Sequence, residues 1–159
     1  MHRFAWLVLA VPLAAPAGAQ LIDHKDLSLA VALTIATTAA DTCQAQGNRV
    51  SVTVVGREGQ VIVVLRGDNS SPHTVENSRR KAYTARTFRV PSGEIAKRVK
   101  DNPTLGLVHL ADVIALQGAL PIKVGEDVVG AVGVSGSPGG DKDEACAKAA
   151  IDKVADQLK

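Results

Sequence analysis

An apolar run near the end of the chain constrains the fold more than any other part of the sequence. Residues 128–134 read VVGAVGV, which has the length and the β-branched content of a strand buried on both faces. Its glycines remove side chains where another backbone or a ligand could come close. The run follows a turn at Gly125–Glu126 and leads through the loop SGSPGG into the last helix. We therefore expect the rest of the domain to be arranged around this strand.

Hydrophobic periodicity and turn-forming residues divide the chain into further helices and strands. The predicted elements, in chain order, are a helix over about residues 26–46, strands over 50–55 and 60–65, helices over 72–88 and 94–100, strands over 113–117, 120–124 and 127–134, and a last helix with Asp141 as its N-cap. This order does not alternate regularly, as it would in a doubly wound fold. It predicts an α+β domain with one antiparallel sheet of about five strands and helices packed on it.

The N-terminal segment predicts a secretory signal peptide. Residues 1–19 combine a basic start, an apolar middle and the small-residue end Ala17-Gly18-Ala19. The apolar part is too short to remain as a membrane span. Cleavage after Ala19 would leave a single domain, residues 20–159. We expect this domain to be periplasmic or secreted, with no membrane span.

The composition of the mature chain argues against nucleic acid as a partner. The whole chain has 18 Lys and Arg against 16 Asp and Glu, so loss of Arg3 with the signal leaves 17 against 16. Tyr83 and Phe88 are the only aromatic residues after residue 19. The mature chain therefore lacks both a basic excess for phosphate binding and a set of stacking platforms.

The two cysteines, Cys43 and Cys146, lie at the edges of the apolar stripes of their predicted helices. In an exported chain an even pair favours a disulfide bond. The alternative is a pair of small buried residues that never meet. Two thiols without a CxxC motif or a nearby histidine pair make a poor zinc site.

Five short motifs occur in order along almost the whole mature chain: Arg66-x-Asp68, Lys81-Ala82-x-Thr84-Ala85-x-x-Phe88, Gly118-Ala119-Leu120-Pro121-Ile122, GAVGVSG at 130–136, and Asp143-Glu144. Together they resemble the GlcG/HbpS family of haem-binding-like proteins, whose domain also occurs fused to corrinoid adenosyltransferases. The resemblance implies a profilin-like or PAS-like fold, homo-oligomers, and haem or iron binding in secreted members. The chain departs from the family pattern at Asn69 and Ser70, where Gly-Ala is usual, and at Ala119, where the second glycine of a pair is usual.

A haem site needs an axial ligand, commonly histidine, an apolar slot, and cationic or hydroxyl groups for the propionates. His73 is the preferred haem-iron ligand, because it starts the middle helix beside the Arg66–Asp68 loop. Its other interpretation is a surface residue at a helix start. His109 is the alternative ligand, although a half-buried structural histidine fits its position better. His24 lies in the N-terminal tail, where we expect it to be solvated.

Four basic residues give the middle helix two possible interpretations: Arg79, Arg80, Lys81 and Arg86. They form either an anion clamp for propionates or a substrate carboxylate, or a solvated or oligomer-contact face. Lys81 is favoured as a binding residue because it carries the family motif.

Arg66, Ser135 and Gly136 complete the predicted cofactor-binding set with His73 and Lys81. The loop at 135–140 precedes a helix N-terminus, whose N–H groups can hold an anion. The same loop is equally consistent with a turn that leads the chain out of the sheet.

The sequence favours a non-catalytic protein that binds haem, a related tetrapyrrole or iron. No catalytic residue is predicted: Ser135 lacks the G-x-S-x-G setting of a nucleophile elbow. Adjacent Asp143 and Glu144 point to different faces of a helix. One alternative is an enzyme or accessory protein that acts on a small carboxylate or hydroxy acid through Lys81, Arg66 and the Gly136 loop. The other is a structural subunit of a periplasmic complex.

Overall fold

The computed structural model describes residues 21–159, so the predicted signal peptide at 1–19 lies outside the described residues. The helices and strands of this part, in chain order, are α1 (Leu29–Ala45), β1 (Ser51–Val55), β2 (Val61–Arg66), α2 (Thr74–Phe88), α3 (Ser92–Asp101), β3 (Ala119–Val124), β4 (Asp127–Ser135) and α4 (Gly140–Lys153). Short 3-10 helices lie at Gly106–His109 and Ala155–Gln157. The strands form one antiparallel sheet in the order β2-β1-β4-β3, which confirms the predicted α+β class.

The central strands β1 and β4 present two chemically different faces, because side chains alternate along a strand. Val52 pairs with Val134, and both belong to the core formed with α1 and α4. Thr53 pairs with Gly133 on the other face. There the Thr53 hydroxyl lies 2.8 Å from the Ser78 hydroxyl of α2. One face is therefore apolar beneath α1 and α4, and the other carries small and hydroxyl side chains beneath α2.

A disulfide bond joins the two helices on the apolar face. Cys43 of α1 and Cys146 of α4 are bonded, with their Cα atoms 5.7 Å apart, and both residues are fully buried. The predicted pairing is thus confirmed. The bond closes a sequence separation of 103 residues and links the first helix to the last.

Helix α2 approaches the sheet most closely at Gly133. A Cβ atom there would overlap the carbonyl oxygen of Ser78 and lie 2.7 Å from the backbone nitrogen of Ala82. The contacts around it are made by small residues, since Ala82 and Ala85 cluster with Ala131. The close backbone approach that the glycines of the apolar run predicted is present at this position.

The predicted fifth strand, at residues 113–117, is wrong. The N–H of Ile114 donates to the Thr84 hydroxyl at 2.9 Å, and Arg80 Nη2 donates to the carbonyl of Val113 at 2.6 Å. Side chains of α2 thus bond the backbone groups that a strand would give to its neighbour. This segment is held against α2, and the sheet of the described chain has four strands.

Helix α4 begins one residue before its predicted N-cap, Asp141. Gly139 occupies the N-cap position with extended backbone and makes no side-chain capping bond. The carboxylate that bonds the preceding loop is that of Asp143, which accepts from the N–H of Ser137 at 3.0 Å. No helix among residues 21–159 is long and apolar enough to cross a membrane.

Candidate functional site

A cleft of about 260 Å³ opens where the start of α2, the end of β4 and the loop before α4 meet. His73, Lys81, Ser135 and Gly136 all line it. The fold therefore brings together four of the five predicted binding residues, although they lie up to 63 residues apart in the sequence. Arg66, the fifth, is not among the lining residues and donates to the carbonyl of Ser70 at 3.1 Å.

Lys81 forms a buried ion pair in the wall of the cleft. Its Nζ donates to Asp143 Oδ2 at 2.9 Å and to the carbonyl oxygen of Val134 at 3.0 Å. The two side chains are only 5% and 3% exposed. The charge of Lys81 is therefore balanced inside the protein. Lys81 is therefore a structural ion-pair residue, and not a free cation that is available to bind a propionate or a substrate carboxylate.

Asp143 connects Lys81 to the loop that borders the cleft. While Oδ2 accepts from Lys81, Oδ1 accepts from the N–H of Ser137 at 3.0 Å. Gly118 packs against the pair with φ +131°, and a Cβ there would lie 2.8 Å from both Lys81 Nζ and Asp143 Cβ. Both the backbone conformation and the lack of space require glycine at this position. The sequence motifs that contain Lys81, Gly118 and Asp143 thus meet in one buried contact.

The loop at 135–140 ends in the first turn of α4, and Gly139 and Gly140 at this turn line the cleft. The first N–H groups of a helix have no partner within the helix, and the helix dipole favours negative charge there. The Ser135 hydroxyl belongs to a residue only 4% exposed, whereas Ser137 is half-buried. The start of α4 can therefore offer backbone donors to an anionic group.

His73 occupies the N-cap position of α2 and makes no side-chain capping bond there. It is exposed at the cleft, so its ring is accessible to a ligand. His109, the alternative ligand, lies in the 3-10 helix and is exposed, not half-buried as expected. It is not among the residues lining the cleft. His24 is exposed as predicted and lies near Asp127, in a different pocket.

A buried set of hydroxyl groups holds the start of α2 beside the cleft. The Ser51 hydroxyl lies 2.8 Å from that of Thr74 and 3.3 Å from that of Ser70. Thr74 also donates to the carbonyl of Ser71 at 2.7 Å. Sequence reasoning missed this network. Its signal was the hydroxyl residues at alternate positions 51 and 53 of a valine-rich strand.

Two basic residues of α2 hold the segment before β3 and do not line the cleft. Arg79 Nη2 donates to Glu76 at 2.8 Å and to Asp112 at 2.7 Å. These bonds raise the pKa of Arg79, and the hydrogen bond from Arg79 lowers the pKa of Glu76. Arg80 bonds the neighbouring carbonyl of Val113. The anion-clamp interpretation is therefore not needed for Arg79 or Arg80.

Glu144 lies in α4 behind the cleft-lining residue Gln117. Burial raises the pKa of its carboxyl group, a hydrogen bond from Gln117 opposes this, and the nearby charges of Glu94 and Asp141 raise the pKa further. Its Oε2 atom is buried without a hydrogen-bond partner among residues 21–159. No group of three or more His, Cys, Asp and Glu side chains in that range is arranged to hold a metal ion.

Over residues 21–159, helices on both faces of a four-stranded antiparallel sheet, with a small cleft at the end of β4, define an α+β fold. The chain belongs to the HbpS-like family, because the family model described as "Haem degrading protein HbpS-like" matches residues 27–152. This result confirms the resemblance that the sequence motifs carry.

Solved structures share the fold over most of their length. A double mutant of Streptomyces reticuli HbpS is 36% identical, with a TM-score of 0.81, covering 92% of this chain and 98% of that one. Klebsiella pneumoniae protein ORFY is 26% identical, with a TM-score of 0.78, covering 89% and 98%. The PduOC:heme complex is 21% identical, with a TM-score of 0.74, covering 80% and 94%. At 21% sequence identity, the similarity to this complex is evidence for a shared fold only.

Proposed function

We propose that this protein binds haem or a related tetrapyrrole at the cleft beside His73, as a binding protein without catalytic activity. The observation that carries the proposal is that one cleft gathers His73, Ser135 and Gly136 in a chain of the HbpS-like family. A PduOC:heme complex with a similar fold adds support at the level of the scaffold.

The chemistry of the lining residues fits such a ligand. An exposed imidazole at His73 can ligate haem iron. Leu116, which is 43% exposed, gives the cleft an apolar side chain. The N-terminal turn of α4 can donate hydrogen bonds to a propionate. Bound haem would supply an iron centre and an intense Soret absorption band.

The size of the cleft limits how the ligand is held. Its volume of about 260 Å³ lies just below the range of about 300–1,000 Å³ that is usual for ligand pockets. A cleft of this size covers only part of a tetrapyrrole, so much of the ring is left to solvent or to another subunit.

Lys81 and Asp143 act as positioning residues in this proposal. They bond each other and fix the loop that carries Ser137, so they shape the wall of the cleft. Because the charges of Lys81 and Asp143 neutralise each other, neither side chain is available as a general acid or base. The arrangement therefore favours a binding role over acid–base catalysis.

The test is a titration of purified, haem-free protein with haemin, followed at the Soret band against a free-haemin control. We expect a saturable, shifted band with a stoichiometry of one haem per chain or a simple fraction of it. A spectrum that matches free haemin at every concentration would contradict the proposal.

We propose that the protein is exported. The Cys43–Cys146 disulfide supports this, because such bonds persist in oxidising compartments. The mass of the secreted protein tests the proposal, and a mass that retains residues 1–19 contradicts cleavage after Ala19.

We further propose that the protein forms homo-oligomers. Val108, Leu110 and Leu116 form a set of exposed apolar side chains in the segment before β3, which is typical of an interaction surface. Light scattering of the purified protein would give the assembly mass, and a monomer at all concentrations would contradict the proposal.

A further inference from the structure

Arg86 differs from the other basic residues of α2. Arg79 and Lys81 form ion pairs, and Arg80 bonds a carbonyl group. The Nε atom of Arg86, in contrast, is buried without a hydrogen-bond partner among residues 21–159. A buried donor without an acceptor costs free energy, and more so when it is charged. Residues 21–159 therefore leave one donor of this charged guanidinium group uncompensated.

Arg86 lines a pocket of about 190 Å³ between the β1–β2 turn and the C-terminal half of α2. The turn contributes Arg57, Glu58 and Gly59, and the helix contributes Tyr83 and Thr87. Gly59 has φ +78°, and a Cβ there would lie 2.9 Å from the ring of Tyr83. The turn and the helix are thus in direct contact, which gives the pocket a defined wall.

This pocket is separate from the cleft beside His73. Arg86 follows His73 by 13 residues, which corresponds to roughly 20 Å along a helix axis. The two sets of lining residues share no member. A ligand in this pocket would therefore be independent of one bound at the cleft.

The charged groups that act on Arg86 are two arginines, Arg57 and Arg89, and two carboxylates, Glu58 and Asp127. Arg57, a neighbour in the pocket, forms an ion pair with Asp127, and Arg89 follows α2 directly. Burial lowers the pKa of Arg86, and the charges of Arg89 and Arg57 lower it further; Glu58 and Asp127 oppose them with smaller effects. The charged form of the guanidinium group is therefore disfavoured, and a bound anion would stabilise it by charge attraction.

We propose that this pocket binds a small oxyanion, a carboxylate or phosphate group, through the guanidinium group of Arg86. The planar fork of arginine matches two oxygens of such a group. Tyr83 can add a phenolic O–H donor. The small volume suits a compact anion and excludes an extended ligand.

The test compares inorganic phosphate, acetate and chloride at matched ionic strength, with the purified protein and its thermal unfolding midpoint as the readout. We expect a saturable rise of several degrees with phosphate or acetate, and none with chloride. The stronger of the two anions identifies whether phosphate or carboxylate is the preferred group. Arg86→Gln should weaken this affinity about tenfold or more, equivalent to the loss of one charge-assisted hydrogen bond.

Arg98→Gln is the matched control, because it removes the same charge from an exposed position on α3. It should keep the full response, which separates a local site from general charge screening. Haemin binding should be unchanged in Arg86→Gln, so failure of this proposal is distinguishable from failure of haem binding.

A second variant keeps the test valid if Arg86→Gln does not fold. Thr87→Glu places a carboxylate at an exposed position that lines the same pocket, and it should compete with the added anion. An absent saturable response in the unmodified protein overturns the proposal. So does an unchanged response in either Arg86→Gln or Thr87→Glu.

Discussion

Lys81 of α2 and Asp143 of α4 are 62 residues apart in the sequence, and their charged groups lie 2.9 Å apart in the protein interior. The two helices pack on opposite faces of the sheet, so the pair joins the two helical layers around the end of β4. Burial removes both charges from water at a considerable cost. The additional bonds to Val134 and Ser137 offset part of this cost and give the pair a fixed geometry.

Removal of one partner of this pair should be strongly destabilising. We expect Lys81→Met or Asp143→Leu to lower the free energy of unfolding by about 3–5 kcal/mol, because each leaves an uncompensated buried charge. The double variant should recover much of this loss. Denaturant unfolding measures all three. Lys97→Met is the control, since its pair with Asp101 is exposed, and it should change little. Equal costs for Lys97→Met and Lys81→Met would contradict the account.

Gly133→Ala should separate α2 from the sheet. A Cβ at this position overlaps the backbone of α2 at Ser78, and neither backbone can move without disturbing other contacts. We expect a loss of about 1–3 kcal/mol or more from overpacking. Gly106→Ala is the matched control, because a Cβ there meets nothing within 4 Å. If both variants unfold at the same denaturant concentration, α2 does not pack as described.

The disulfide should contribute a large part of the stability of the protein. In the chain-entropy account, a cross-link over about 100 residues restricts the unfolded chain by several kcal/mol. We expect Cys43→Ala together with Cys146→Ala to lose about 2–5 kcal/mol in the free energy of unfolding. Adding reductant to the unmodified protein should lower its midpoint similarly, and should leave the double variant unaffected. A double variant as stable as the parent would contradict this prediction.

The contribution of Glu144 to the free energy of unfolding should decrease as the pH rises. Its folded-state pKa is raised by burial, so the folded state favours the protonated form. The corresponding stability is complete below the unfolded pKa, near pH 4, and is lost as the pH rises through the folded pKa. Glu144→Gln should therefore be more stable than the parent at neutral pH by a few degrees or less. The difference should disappear near pH 4.

Glu126→Gln provides the comparison for Glu144→Gln, because Glu126 is exposed in the β3–β4 turn. Thermal unfolding between pH 4 and neutral pH should show no pH-dependent gain for this control. A Glu144→Gln variant that is less stable than the parent at neutral pH would contradict the prediction.

His73→Ala should abolish the shifted Soret band if His73 ligates the haem iron. Loss of the imidazole removes the ligand that the cleft presents. His109→Ala should leave the band unchanged, since His109 does not line the cleft. Retained affinity in His73→Ala, with loss in His109→Ala, would transfer the ligand role to His109.

Local sequence patterns were sufficient for most elements of the fold. Valine-rich runs and the glycines that flank them predicted the strands β1 and β2 and the turn between β3 and β4, because turn chemistry and alternation act over a few residues. The segment at 113–117 was mistaken for a strand because its apolar pattern is strand-like. Its backbone is bonded by Thr84 and Arg80, and no local pattern reveals partners 30 residues away.

The sequence predicted four residues that line the cleft, but it did not predict the role of Lys81 or the presence of Asp143. The family motif predicted Lys81 as a site residue. The motif Asp143-Glu144 marked the start of α4, the helix that carries the partner of Lys81. That Lys81 and Asp143 bond each other depends on the packing of two helices around one strand end. Charge compensation of this kind is a property of the tertiary structure, so an isolated motif suggested a ligand-binding cation instead.

The two faces of the central strands have a consequence for how the protein could be redesigned. Beneath α1 and α4, the core consists of many valine and alanine side chains. Side-chain volume removed at one position there can be restored by a larger side chain at a neighbouring position. Beneath α2, Gly133 and Ala82 leave no free volume to exchange. New ligand specificities are therefore best engineered by varying the loops at the ends of α2, while the contact between α2 and the sheet is left unchanged.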